Sequence, residues 1–284
     1  MRVQQRRSRG LRHALFGAIS TMAGGLFATA AATAGVADGG DAARCCRVVE
    51  LRQYALRPQR FDVFSDLFER EFIEPQEAVG ITVIGQFRNL DDPERFVWLR
   101  GFPDMTSRAV ALEAFYGGAL WKSLRDEANA NFTDTDDVLL LRPTAADARF
   151  DLGGMQRTAI GAVPGATGIF VATVWSLDAA AAPDFPRWFD ASVRPLLARA
   201  GVSVIASFET DPTPNNFRRL PVREGEHVFV WIARFADRTQ ADAALDRATG
   251  SAAWQMAVAP ELVKRLLGQP QVLRLEPTAR SLLR

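Results

Sequence analysis

Residues 48–143 and 169–277 run through the same order of elements, and this duplication constrains the chain more than any local motif does. The anchors are aromatic: Tyr54 answers to Trp175, Phe87 to Phe208, Trp98 to Trp231, Phe102 to Phe235 and Trp121 to Trp254. Each unit closes on a charged residue and a proline, Arg142-Pro143 in the first and Glu276-Pro277 in the second. Two similar halves can pair across a pseudo-twofold axis, so one chain can build what otherwise takes a homodimer. A cavity between the halves is the expected place for a ligand.

Each unit reads strand, helix, strand, strand, helix, strand. In the first, Val48 to Leu56 is a strand closed by Pro58, and Phe61, Phe64, Leu67, Phe68 and Phe72 follow at helical spacing. Ile81 to Arg88 and Arg95 to Phe102 form a hairpin around Asn89 to Pro93; a helix from Thr106 breaks at Gly117-Gly118, and Val138 to Arg142 is the last strand. The second unit places strands at Ile169–Leu177, Val202–Glu209, His227–Phe235 and Val272–Glu276, with its hairpin loop longer by about a dozen residues. The fold class is therefore α+β, two tandem ferredoxin-like βαββαβ repeats whose open sheet faces meet in an intrachain barrel. Alternation along the strands puts Val49, Leu51, Gln53, Ala55, Val97 and Leu99 toward the helices. It turns Glu50, Arg52, Tyr54, Trp98 and Arg100, with Trp175, His227 and Trp231 opposite, toward the barrel interior.

The start of the chain reads as a targeting segment. Arg2, Arg6, Arg7, Arg9 and Arg12 precede a weakly apolar run from Ala14 to Ala34, and no acid appears before Asp38. Glycines and threonines dilute the run below the roughly 20 mostly apolar residues of a stable membrane span. Arg6-Arg7 suggests twin-arginine export to a periplasmic or secreted location, ahead of a mitochondrial presequence. The expected organisation is an export segment at 1–37, a leader at 38–47, the first repeat at 48–143, a linker at 144–167 and the second repeat at 168–284 with its extended 210–226 loop. Removing residues 1–37 deletes five arginines and takes the formal charge from +1 to −4. No basic cluster remains to track nucleic acid.

Cys45 and Cys46 are adjacent, with Cα atoms about 3.8 Å apart across an ordinary peptide, closer than the usual disulfide. They are expected as two thiols in a mobile leader. No second ligand cluster supports a metal, and no glycine-rich loop or nucleophile triad supports phosphoryl transfer, dehydrogenation or hydrolysis.

Glu50 to Pro58, the Phe61/Phe64 helix, Trp98 in the third strand, the Arg108 to Trp121 helix and the closing Leu141-Arg142-Pro143 resemble the NIPSNAP domain of the dimeric α+β barrel superfamily. The second repeat has the same layout, with Val171-Ala172-Thr173 in place of the Glu-Leu-Arg opening. The resemblance implies the barrel fold but no settled reaction, since that superfamily includes cofactor-free oxygenases, haem enzymes, isomerases and proteins that only bind.

The expected function is binding of a small, apolar or aromatic molecule by Arg52, Tyr54, Trp98, Arg100, Trp175, His227 and Trp231, whose flat walls suit such a ligand. Asn215, Asn216, Arg218, Arg219 and Arg223 of the long loop are expected as a lid with donors for an acidic group. An alternative is a cofactor-free oxygenase or isomerase in which His227 or Glu50 moves a proton. Another is a protein-interaction module using the Pro-rich arm. No cofactor is expected, haem on His227 being the one conceivable exception. Further homo-oligomerisation is left open.

Overall fold

Eight antiparallel strands close on themselves, and both halves of the barrel come from one chain. The computed structural model describes residues 44–163 and 168–284; the expected export segment lies outside the described residues. The first repeat contributes β2 (Val48–Leu56), β3 (Thr82–Asn89), β4 (Asp92–Phe102) and β5 (Phe132–Pro143), and the second β7 (Ile169–Ser176), β8 (Val204–Thr210), β9 (Val228–Phe235) and β10 (Gln271–Pro277). The order around the barrel is β10-β3-β4-β2-β5-β8-β9-β7.

The two seams are equivalent. At one, β5 pairs with β8, setting Pro143 opposite Phe208; at the other, β10 pairs with β3, setting Pro277 opposite Phe87. The sequence anchors thus fall at matching points of a pseudo-twofold arrangement. The register repeats as well. Glu50, Arg52 and Tyr54 face Arg100, Trp98 and Phe96 across β2 and β4, and Val171, Thr173 and Trp175 face Ala233, Trp231 and Phe229 across β7 and β9.

Helices pack on the outside. In the first repeat α1 (Phe61–Leu67) passes through a π-helical turn at Phe68–Phe72 into α2 (Ile73–Glu77), and α3 (Met105–Gly117) gives way at Gly118 to α4 (Ala119–Asn129). In the second, α5 (Phe185–Trp188) meets the same π turn at Phe189–Val193 before α6 (Arg194–Arg199), and α7 (Arg238–Thr249) leads through a third at Trp254–Val258 to α8 (Ala259–Arg265). Pro75, Pro195 and Pro260 each follow one of these turns; lacking an N–H, proline interrupts the regular ladder. Asp104 and Asp237 cap α3 and α7 alike, accepting from the Ser107 and Gln240 backbone N–H at 2.7 Å each.

The facing of the sheet is opposite to the expectation. The interior is filled by Val49, Leu51, Val97, Leu99, Phe87, Phe170, Ala172, Val174, Val230, Ile232 and Leu275, drawn from both repeats in one cluster. Gln53 shares that side, exchanging hydrogen bonds of 3.1 Å with Gln271 of the other repeat. Tyr54, Phe96 and Trp98 instead pack with Phe61, Phe64, Phe68, Phe72 and Phe115 of the first-repeat helices, and Trp175, Phe229 and Trp231 with Phe185, Phe189 and Trp254 of the second. The reason is one of fit. Two curled sheets leave room for branched aliphatic side chains, whereas the aromatic faces of the helices pack best against rings in edge-to-face contact, such as Phe68 on Trp98 at 5.0 Å.

The leader also departs from the expected mobile thiols. Arg44–Cys45 is a short strand, β1, paired with β6 (Phe150–Asp151) of the linker, and Cys45 and Cys46 are bridged to each other. Cys46 packs into the barrel-interior cluster, in space that Gly101 leaves open by having no Cβ.

Truncating a ring at a seam should be costly. Phe87 is fully buried and meets Phe170 of the other repeat at 5.6 Å. Phe87→Ala is expected to lower stability by about 3–5 kcal/mol, measured from the shift in urea midpoint.

Candidate functional site

Glu50 points outward from β2 into the layer between the first-repeat sheet and its helices, where it meets three arginines. Arg52 Nη1 donates to Glu50 Oε2 at 2.6 Å, Arg100 Nε to the same oxygen at 2.7 Å, and Arg108 Nε to Oε1 at 2.7 Å. None of the four residues has any exposed surface. Alternation on β2 and pairing with β4 align Glu50, Arg52 and Arg100 on one face, and the capped first turn of α3 brings Arg108 down onto them. Three guanidiniums against one carboxylate leave a closed compartment two positive charges in excess.

Burial alone would raise the Glu50 carboxyl, but Arg100, Arg52 and Arg108 outweigh it and hold the group far below the usual carboxylate range. Glu50 is therefore an anchor ionised near neutral pH and a poor proton acceptor. Trp98 lies between two of the cations, with the guanidinium of Arg100 5.0 Å and that of Arg52 5.6 Å from its ring.

Beside the clasp lies a cavity of about 70 Å³, walled by Tyr54, Phe68, Phe72, Trp98, Phe115, Tyr116, Trp121 and Phe132, with Gln76 as a polar member. Exposed Asn129 and half-buried Thr135 and Leu220 form its rim. Tyr54, Tyr116 and Gln76 on its wall are each backed by an arginine. Arg52 Nε donates to the Tyr54 hydroxyl at 2.8 Å, and Arg100 Nη1 to the Tyr116 hydroxyl at 3.2 Å and to Gln76 Oε1 at 3.4 Å. Trp98 Nε1, Arg100 Nη2 and Arg108 Nη2 are buried without a hydrogen-bond partner, although Arg100 Nη2 stays within ion-pair range of Glu50 at 2.7 Å.

The second repeat closes this layer with its long loop. Asn215 and Asn216 accept from Arg108 Nη1 at 3.1 and 2.7 Å, Phe217 packs on Tyr116, and Arg219 donates to the Tyr116 carbonyl at 3.0 Å. Arg223 binds Asp137 and Glu226, and Arg218 is exposed. The arm thus braces the first repeat rather than roofing the barrel.

The expected ligand wall is accordingly divided. Arg52, Tyr54, Trp98 and Arg100 come together; Trp175 and Trp231 lie in the outer layer of the other repeat. His227 is exposed just before β9, where it borders one open cleft with Ser176, Leu177 and Gln269 and another with Pro183, Pro186 and Phe229, away from the first-repeat cluster. Sequence reasoning missed Arg108, Tyr116 and Gln76. Arg108 had a signal: it begins the stripe completed by Ala111, Leu112 and Phe115, all buried, and a charge on an apolar helix face needs a buried partner.

The second repeat shows what this layer contains without the charges. By strand register, Val171, Thr173 and Ala233 stand where the first repeat has Glu50, Arg52 and Arg100. Counting from the matched Asp104 and Asp237 caps, Ala241 replaces Arg108. Those positions hold small uncharged side chains, three of them apolar, so the fold forms without the ionic cluster.

The architecture defines the class: a dimeric α+β barrel contained in one chain. Residues 49–146, essentially the first repeat, match the NIPSNAP family model. Among solved structures, a putative monooxygenase from Lactobacillus acidophilus is similar at 12% identity over 81% of this chain and 93% of that one, with a TM-score of 0.48. An anthrone oxidase-like protein is similar at 12% identity over 81% and 91%, with a TM-score of 0.49. An uncharacterized NIPSNAP domain protein from Burkholderia xenovorans matches at 16% identity over 39% of this chain and 95% of that one, with a TM-score of 0.31. No curated protein shows significant similarity to the chain. Among the described residues no helix is long and apolar enough to cross a membrane, and no cluster of His, Cys, Asp and Glu could hold a metal.

Removing the anchor while leaving the cations should be severe. Glu50→Gln is expected to cost about 3–5 kcal/mol at pH 7, and adding Arg108→Met should recover part of that loss by restoring the charge balance. Because the folded carboxyl is depressed, its contribution is complete above the ordinary value near 4.5 and is lost as pH falls below it. The stability gap between wild type and Glu50→Gln should therefore narrow in acid, as followed by urea denaturation across a pH series.

Proposed function

We propose that the protein binds a small aromatic molecule in the first repeat, between sheet and helices, with the head of the ligand in the aromatic cavity and its remainder at the rim. The observation that carries this reading is the cavity of about 70 Å³ whose few polar wall groups converge among rings. That combination of apolar walls and a small number of oriented polar groups is typical of a small-molecule site. The volume is about half that of the roughly 150 Å³ engineered cavity that admits benzene, which suits one end of a flat ligand.

Binding is favoured over proton-transfer catalysis by the state of the two candidate proton carriers. Glu50 is held ionised by three guanidiniums, and His227 stands on the surface in a different cleft. The Pro-rich arm is engaged with α3 and β5 of its own chain, so a partner surface made from it would have to displace those contacts.

Calorimetric titration with a panel of monocyclic phenols tests the reading. Thr135→Trp, placed at the rim, should weaken binding by at least about tenfold, about 1.4 kcal/mol, with the thermal unfolding midpoint little changed. Equal affinity in the two proteins would place the ligand elsewhere. The reading extends to location: residues 1–37 are proposed as an export segment, so the protein recovered from a producing bacterium should begin near Ala37 and be absent from its cytoplasmic fraction.

A further inference from the structure

The direction of the hydrogen bonds at the cavity wall specifies more than an aromatic ligand. The Tyr54 oxygen accepts from Arg52, and the Tyr116 oxygen from Arg100. A hydroxyl whose oxygen already accepts has its proton left to give, and among the described residues neither proton has an acceptor. Burial raises the Tyr54 hydroxyl above its ordinary value, so that proton is retained. Trp98 Nε1, a third donor on the same wall, is buried without a partner. The cavity therefore offers donors in excess of acceptors, with Gln76 Oε1 already occupied by Arg100.

The charge behind the wall has the same preference. Arg52, Arg100 and Arg108 exceed Glu50 by two positive charges in a compartment closed to water. Such an excess is unfavourable by itself and becomes favourable when a negative oxygen arrives at the donors the cations polarise. The second repeat, with Val171, Thr173, Ala233 and Ala241 at the corresponding positions, indicates that packing does not require the charges.

Building on the proposed aromatic site, we infer that its ligand carries an anionic oxygen, a phenolate, enolate or carboxylate conjugated to a flat ring, received by the Tyr54 and Tyr116 hydroxyls. Arg52 and Arg100 act through the tyrosines and need not touch the ligand. The arm of the second repeat fixes the third cation by holding Arg108 between Asn215, Asn216 and Glu50.

The probe is 4-nitrophenol, which titrates near neutrality and reports its own ionisation by absorbance. Bound as the phenolate, it should ionise at lower pH than in buffer, by about one pH unit, equivalent to a roughly tenfold preference for the anion. Tyr54→Phe and Tyr116→Phe, which keep the ring and remove the donor, should return the midpoint to the buffer value or above it while binding continues. A midpoint unchanged or raised in the wild-type protein, with binding evident by calorimetry, overturns the inference and leaves the aromatic site standing. No binding of 4-nitrophenol or of any phenol in the panel overturns both.

Discussion

Closure of the barrel through two equivalent seams is the constraint on which the rest of the structure depends. Once β5 pairs with β8 and β10 with β3, no strand edge remains in the main sheet, and the inner faces of both repeats are buried against each other. The aliphatic faces fill that interior. Inside, Gln53 and Gln271 satisfy each other; the buried charges of the strands lie in the outer layer, under helices, where each needs a partner because water cannot reach it. The clasp around Glu50 follows from this: a carboxylate placed in that layer is tolerable only with cations from the next strand and the adjacent helix.

The clasp in turn organises the aromatic cavity. Arg52 and Arg100 have spent one face on Glu50, and their remaining donors reach Tyr54, Tyr116 and Gln76. The tyrosines are thereby oriented by groups that cannot move without breaking a buried ion pair. Preorganised donors of this kind lose little on receiving an anion, because their orientation is already fixed.

The repeat, its element order and the long second hairpin loop were legible in the sequence because each rests on local pattern: Val48–Leu56 as a strand, the break at Gly117-Gly118, and the matched anchors Phe87/Phe208 and Pro143/Pro277, which the two seams bring together. The facing of the sheet was not. Nearly every residue of β2 is buried, so alternation separates Val49, Leu51 and Gln53 from Glu50, Arg52 and Tyr54 but does not say which set meets the helices. The phenylalanines of α1 held that information, since rings on a helix call for rings on the sheet. Residues brought from a distance, Arg108 and Asn215 among them, depend on how helix and arm pack over the sheet and had no local signature as a set.

Duplication without equivalence is what the two halves finally express. Both repeats keep the aspartate caps, the π turn in the first helix and the tryptophan pairs Trp98/Trp231 and Trp121/Trp254, so the backbone plan is common. Only the first keeps the carboxylate, the three arginines and the two tyrosines, while the second has replaced them with residues that pack. Its longer loop crosses to the first repeat, where Phe217 covers Tyr116 and two asparagines hold Arg108. In a homodimer of identical subunits each layer would carry the same charges and each loop the same length. Fusion removes that symmetry, so one half can carry a charged layer that is costly to bury while the other, packed like an ordinary core, supplies the support that holds it closed.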